Sequence, residues 1–458
     1  MTDERKDNKD QAATAPITAR QSRRAVLAGL TAGLIGASST AALAQSSPNW
    51  FEQVFGTNSN TPPPRDAKSK QDVLNDLRPD PTPYRSEAMV EALDGAIQRF
   101  DQIVQKGGWP AIPGQRAMRP EDDDERLPIL RRRLIASGEL SPKANSNGYG
   151  WDGELDAAVK QFQENHGLRV TGRVDKPTLQ ALNVPAAARV AQLRLNLTRV
   201  RELLQTRPED RYILVYAAAF QLEAVERNEV QLRHRTIVGK PERQTPVVKA
   251  MVKAINFFPY WRVPDSVATL DLFPKLQKEP EYLAKERIRV LKNDFNGAEL
   301  DPTGIDWSTA DAKFIKFRQD PGPQNALGLL RLDMPNSEGV YMHDTPMKHL
   351  FQQRGRSFSA GCVRVQDVPL LAEWVARYEM GWDQPGRARQ LLEANQAIDL
   401  TLTRPVPVYF TYITAWAEQN GRVQFRPDIY GRDGMRDLVA GRDRDESEGP
   451  VPTQALAP

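Results

Sequence analysis

The sequence predicts an α+β chain of several units. A mainly β domain carries an inserted helical lid, and before it come a small three-helix domain and a helical scaffold region. Three observations point there. The chain has 458 residues, more than the ~100–200 of one ordinary domain. Apolar residues recur at helical spacing as far as Leu204 and alternate with period two from Tyr212 onward. The composition, 40% hydrophobic and 26% charged, is globular. With 62 Lys+Arg against 59 Asp+Glu, the net charge of +3 gives no basic excess of the kind nucleic-acid binders need. One cysteine and four histidines exclude an intramolecular disulfide, a Cys-rich zinc site and a haem-attachment motif.

The elements follow in order. Residues 1–44 read as an export signal: Ser22-Arg23-Arg24, an apolar run from Ala25 to Ile35, then Ala42-Leu43-Ala44 as a cleavage site. The paired arginines give it a twin-arginine look and the mature chain a periplasmic address. An uncleaved anchor is the other reading, on a stretch of marginal length for ~30 Å of hydrocarbon. Residues 45–85, rich in Ser, Asn and Pro, read as a disordered linker. Over 86–121, Met89, Leu93, Ile97 and Ile103 give a helix that Gly107-Gly108-Trp109-Pro110 ends. Residues 122–185 hold three short helices. Gly138 stops the first; Asp152 caps the second, with Leu155, Ala158, Val159 and Phe162 on one face; Asp175 caps the third, with Pro177 in its first turn. Over 186–210, Leu193, Leu197, Val200 and Leu204 define a connecting helix. The β domain spans 211–432, with expected strands at 212–216, 221–225, 235–238, 248–257, 339–343, 399–402 and 406–413. The charged stretch 264–312 inside it reads as a helical lid, and 433–458 as a disordered tail.

The chemistry centres on Ser359-Ala360-Gly361-Cys362-Val363-Arg364. A lone cysteine is by default a buried structural one, or it pairs between chains. Here a glycine precedes it, which lets backbone N–H groups approach a reacting carbonyl, and an arginine follows two residues on. A thiol of pKa ≈ 8.5 needs a base or a positive field to act at neutral pH. Among the histidines, His166 belongs to the helical unit, His234 sits between arginines and reads as solvated, and His349 follows Lys348 on a stretch that reads as helix. His343 ends a strand beside the turn Asp344-Thr345-Pro346, with Tyr341 on the same strand face. It is the favoured base.

Two resemblances attach to these residues. Trp151-Asp152-Gly153, Ala158-Val159-Lys160-Gln161-Phe162-Gln163, Gly167-Leu168, Thr171-Gly172 and Thr178-Leu179 resemble the peptidoglycan-binding type 1 domain. His343-Asp344-Thr345-Pro346, followed by the Ser359–Arg364 string, resembles the L,D-transpeptidase catalytic domain of the YkuD-type fold. Ile237-Val238-Gly239-Lys240, Pro259-Tyr260-Trp261-Arg262, Asn325-Ala326-Leu327-Gly328 and Thr414-Ala415-Trp416 resemble its YcbB-like subgroup. Ala360 stands where many relatives carry His.

The resemblance implies a cysteine-dependent acyltransferase without metal or organic cofactor. Cys362 would be the nucleophile, His343 the base, and the backbone N–H groups of Gly361 and Cys362 the oxyanion hole. The expected product is a 3–3 cross-link between diaminopimelate residues of peptidoglycan stem peptides, with carbapenems as acylating inhibitors and wall-synthesis proteins as further partners. Tyr341, Ser359, Arg364 and Asn325 would contact substrate, although Arg364 serves equally in a structural ion pair and Ser359 in closing the turn. With water or a lipoprotein lysine as acceptor, the same site makes an L,D-carboxypeptidase or a lipoprotein-attaching enzyme. A non-catalytic wall-binding scaffold is the alternative of another class.

Overall fold

The computed structural model describes residue 77, residues 80–144 and residues 147–434. The export signal, most of the linker and nearly all of the tail lie outside the described residues. Where those segments enter the structure they are not loose ends. Tyr84 and Arg85 are buried: the Tyr84 N–H donates to the Glu223 carboxylate at 2.9 Å, and Arg85 donates to the Leu203 and Thr206 carbonyls. At the other end the Asp433 carboxylate accepts from Arg199 at 2.8 Å and Thr414 at 2.6 Å. The linker and tail expectations are therefore too long, because buried side chains anchor both inner ends.

Helix α1 (Glu87–Gln105) starts at Ser86, whose hydroxyl accepts from the Met89 N–H. Helices α2 (Leu127–Ser137), α3 (Gly153–Asn165) and α4 (Lys176–Leu182) form the small unit. Gly138 ends α2 at φ +91°, and the Asp152 and Asp175 side chains cap α3 and α4 as the sequence predicts. Their core gathers Leu130, Leu134, Leu155, Val159, Leu179 and Leu182 around Phe162. Helix α5 (Ala186–Leu204) packs Leu193, Leu197 and Val200 against Leu93, Ala96 and Phe100 of α1.

The main sheet contains β1 (Arg211–Tyr216), β2 (Gln221–Glu226), β3 (Glu229–Gly239) and β4 (Val248–Phe257). After an insertion that holds β5 (Trp261–Arg262), β6 (Ile288–Lys292) and β7 (Ile315–Gln319), it resumes with β8 (Leu330–Asp333), β9 (Met342–His343), β10 (Ser357–Ser359), β11 (Val363–Val365) and β12 (Asp399–Thr411). The order is β10-β3-β11-β9-β8-β4-β12-β1-β2, and β2 also pairs with β3. The strands thus close on themselves, which removes the open edges a flat sheet would expose. Alternation assigns the faces: Ile213 and Val215 of β1 join one core, while Tyr212, Leu214 and Tyr216 meet α1 and α5. Helices α6 (Val368–Ala376) and α7 (Arg387–Glu393) complete the first core with Leu371, Val375 and Leu391. A hairpin, β13 (Ala415–Ala417) with β14 (Val423–Phe425), follows.

The insertion is not wholly helical. Short helical turns run from Asp265 to Leu276 and from Tyr282 to Lys285, but β6 pairs with β7, and β7 with β5, as a separate three-stranded sheet. Ile288 and Val290 alternate inward, a period-two pattern in a stretch read as helix. Phe273, Trp307 and Phe317 pack in its centre. The same apolar cluster includes Ile237 and Phe358 of the main sheet, with Tyr341 and Ala360 packed against it, so the insertion covers the sheet next to Cys362.

Candidate active site

The site is made by register. Strand β11 runs parallel to β9 with Val363 opposite Met342 and Arg364 opposite His343, and the Val363 N–H donates to the Tyr341 carbonyl at 3.0 Å. Met342 and Val363 point into the main core. Alternation then sends His343 and Arg364 to the opposite face, while Tyr341 and Cys362, each one residue before its paired strand, also pack against the main core. Continued by one residue, that register sets Cys362 beside Tyr341 and one diagonal step from His343. The Tyr341 and His343 rings meet edge to face at 5.6 Å. The Tyr341 hydroxyl hydrogen-bonds the Cys362 thiol and the Trp261 side chain of the insertion. Strand β8 lies on the other side of β9, with Arg331 opposite His343.

The turn bearing Cys362 wraps over the end of β3. The chain leaves one edge of β3 at Ser359 and rejoins the other through Arg364. Ser359 closes the turn: its hydroxyl donates to the Cys362 carbonyl at 2.6 Å and accepts from the Gly361 N–H at 3.2 Å. The Gly361 carbonyl accepts from the Thr245 hydroxyl at 2.9 Å. Gly361 has φ +119°, a backbone that residues with a Cβ rarely adopt, and conformation rather than space demands glycine there. The Cys362 N–H has no hydrogen-bond partner among the described residues.

The chain is similar in sequence to known proteins. The family description "L,D-transpeptidase catalytic domain", of the YkuD type, matches residues 210–408, and "Putative peptidoglycan binding domain" matches residues 124–182. Residues 210–408 thus match an L,D-transpeptidase catalytic domain. A "Putative L,D-transpeptidase" of Haemophilus influenzae is 35% identical over 228 residues, 50% of this chain and 45% of that protein. The chain thus spans under half the length of this relative. Two solved structures are also similar. The L,D-transpeptidase from Mycobacterium smegmatis is 13% identical over 44% of this chain and 58% of its own, with a TM-score of 0.21. The catalytic domain from the E. faecium L,D-transpeptidase acylated by ertapenem is 13% identical over 45% of this chain and 100% of its own, with a TM-score of 0.22.

Within the L,D-transpeptidase domain, electrostatics separates the two reacting groups. Burial pushes the Cys362 thiol up to about 11, opposed by hydrogen bonds from Tyr341 and the charges of Arg364 and Arg331. Burial, aided by Arg364 and Arg331, lowers the His343 ring to about 3, against the pull of the Asp344 and Leu327 backbone. At neutral pH the resting pair is therefore a neutral thiol and a neutral imidazole, able to accept a proton, rather than a standing ion pair. Among the described residues, no group of three or more His, Cys, Asp or Glu is arranged to hold a metal.

Several expected contacts differ. Arg364 is fully buried, so it meets no substrate carboxylate; it acts as a fixed positive charge beside the thiol. Asn325 is also buried: its amide donates to the Pro259, Gln319 and Asp320 carbonyls and its oxygen accepts from the Leu327 N–H, so it shapes the loop against His343 and does not touch substrate. The Gly361 N–H is committed to Ser359, which leaves the Cys362 N–H as the open oxyanion donor. His234 is buried with Nδ1 on the Gln366 carbonyl at 2.8 Å rather than solvated. Asp344 after the candidate base is fixed by the Leu329 N–H at 3.1 Å and by Lys348, and Gly328 leaves room for it, since a Cβ there would lie 2.6 Å from that of Asp344. Sequence reasoning missed Trp261 as a contact of Tyr341 and Arg331 beside His343. The only sequence signal for Arg331 was a charge in the apolar run before the strand of His343.

Proposed function

We propose that this protein is an L,D-transpeptidase that forms 3–3 cross-links between diaminopimelate residues of peptidoglycan stem peptides through a Cys362 thioester. The observation that supports this reading is the register that sets Cys362 beside Tyr341 and diagonal to His343, next to Tyr341 and Ala360 where the insertion packs on the sheet. His343 takes the thiol proton as sulfur bonds to the scissile carbonyl carbon. The tetrahedral oxyanion faces the Cys362 N–H; one such donor is worth ~2.7–4 kcal/mol of barrier. Collapse breaks the C–N bond, and the imidazolium passes its proton to the departing amine of a D-amino acid. The side-chain amine of a second stem then attacks the thioester, gives its proton to His343, and releases the thiol.

The same acyl-enzyme chemistry makes Cys362 the residue that carbapenems acylate. The Arg23-Arg24 and Ala42-Leu43-Ala44 segment supports export to the periplasm. The test is mass analysis of purified protein incubated with a disaccharide-tetrapeptide. The expected result is a dimer linked 3–3, with Cys362→Ala giving neither adduct nor dimer. Tripeptide alone would point to a carboxypeptidase, and dimer formation by Cys362→Ala would refute the reading.

A further inference from the structure

Beyond the effect of its charge on Cys362 and His343, Arg331 holds a specific position. It lies opposite His343 on β8, so imidazole and guanidinium are neighbours across β9 and β8 on one face of the sheet, with the turn of Cys362 leading into β11 on the other side of β9. Unlike Arg364, its side chain is 24% exposed. Its Nε donates to the Asn256 Oδ1 at 3.0 Å, and Nη2 lies 3.3 Å from the Asp333 carboxylate. Asn256 is held in turn by Asp399 at 2.6 Å. The guanidinium carbon sits 5.5 Å from the Tyr341 ring centre. Two neighbours thus fix its orientation, while Nη1 has no partner among the described residues.

Resting on the proposed acyl transfer, we infer that Arg331 binds the α-carboxylate of the D-amino acid that leaves, and so requires the donor to end one residue beyond the bond that breaks. In the transfer step the leaving amine must sit at the imidazole that protonates it. The carboxylate of the same residue is two bonds further on, and neighbouring strands are ~4.8 Å apart. The guanidinium on the next strand is therefore at the distance where that carboxylate arrives. Asp333 engages Nη2, and the open Nη1 edge is what a terminal carboxylate matches. A donor with an amide in that place loses the charge-assisted bond.

The experiment compares kcat/KM for two tetrapeptide donors, the free acid and its C-terminal amide, with wild type, Arg331→Gln and Arg331→Lys. Wild type is expected to prefer the acid by about tenfold to a hundredfold, the worth of one hydrogen bond to a charged group. Because the Arg331 charge also acts on Cys362 and His343, Arg331→Gln is expected to change the rate on both donors but to slow about tenfold or more further on the acid, so that the preference is lost, and Arg331→Lys to retain part of it. Equal use of acid and amide by wild type, or an equal loss on both donors in Arg331→Gln, overturns the inference while leaving acyl transfer standing. A wild type that forms no acyl-enzyme with either donor refutes the acyl-transfer reading and this inference with it.

Discussion

At the scale of single residues, Arg364 shows how a side chain can serve a site without touching substrate. It is buried beside Cys362, its own pKa is lowered to about 9 by burial, and its charge pulls the thiol down and the His343 ring down. Arg364→Met keeps the length of the side chain and removes the cation. The expected outcome is a thiol pKa above the wild-type value and alkylation of Cys362 by iodoacetamide slowed by about fivefold or more at pH 9. An unchanged pH dependence of alkylation would show that the charge is silent. The sequence made Cys362, Gly361 and Ser359 legible because they lie in one local turn whose chemistry is written in consecutive residues. The commitment of the Gly361 N–H to Ser359 and the burial of Arg364 were not legible, since both depend on how the turn folds over β3. Arg331 was hidden for a related reason: its position opposite His343 is set by the β8–β9 register, and a slip of one residue would turn it into the core.

At the scale of elements, the insertion contributes Trp261, buried on β5 and hydrogen-bonded to Tyr341. Trp261→Phe preserves an aromatic ring and removes the indole N–H. We expect a folded protein whose single-turnover acylation by a carbapenem, followed by loss of β-lactam absorbance, falls about tenfold, the scale of one hydrogen bond that leaves a buried hydroxyl without its donor. A wild-type rate would separate the insertion from the chemistry. The strands of the main sheet were largely visible as period-two runs, and the caps at Asp152 and Asp175 as polar residues before apolar helices. Strand β6 was missed because five residues with a lysine and an arginine give too short an alternation to outweigh charged neighbours. Residues 399–402 and 406–413 read as two strands but form one, β12, with a register shift between Thr401 and Val406 where Pro405 and Pro407 break the pattern. Only Met342 and His343 of the expected strand 339–343 are paired as β9, because Gly339 at φ +64° belongs to the preceding turn.

At the scale of the whole molecule, the three-helix unit is docked to the β domain through Phe425. Its ring stacks on His166 at 5.3 Å, meets Phe100 of α1 at 5.9 Å, and lies under the Arg189 guanidinium at 4.5 Å, while Arg426 donates to the Asn165 carbonyl at 3.2 Å. Phe425→Ala is expected to cost ~3–5 kcal/mol, seen as a lower urea midpoint and faster proteolysis between the unit and the β domain; an unchanged midpoint would show that the docking is incidental. None of these long-range contacts was legible in the sequence, since they join residues hundreds of positions apart. The central claim is that a neutral His343 takes the proton of a neutral Cys362 thiol, and the pH profile of Cys362 acylation by a carbapenem tests it most directly. With the ring at about 3 and the thiol at about 11, the wild-type rate should be level from about pH 5 to about pH 9. His343→Gln should be slower by about a hundredfold or more at pH 7, with a rate that climbs as pH rises because only thiolate can then react. A His343→Gln protein that acylates at the wild-type rate with a level profile would contradict the account.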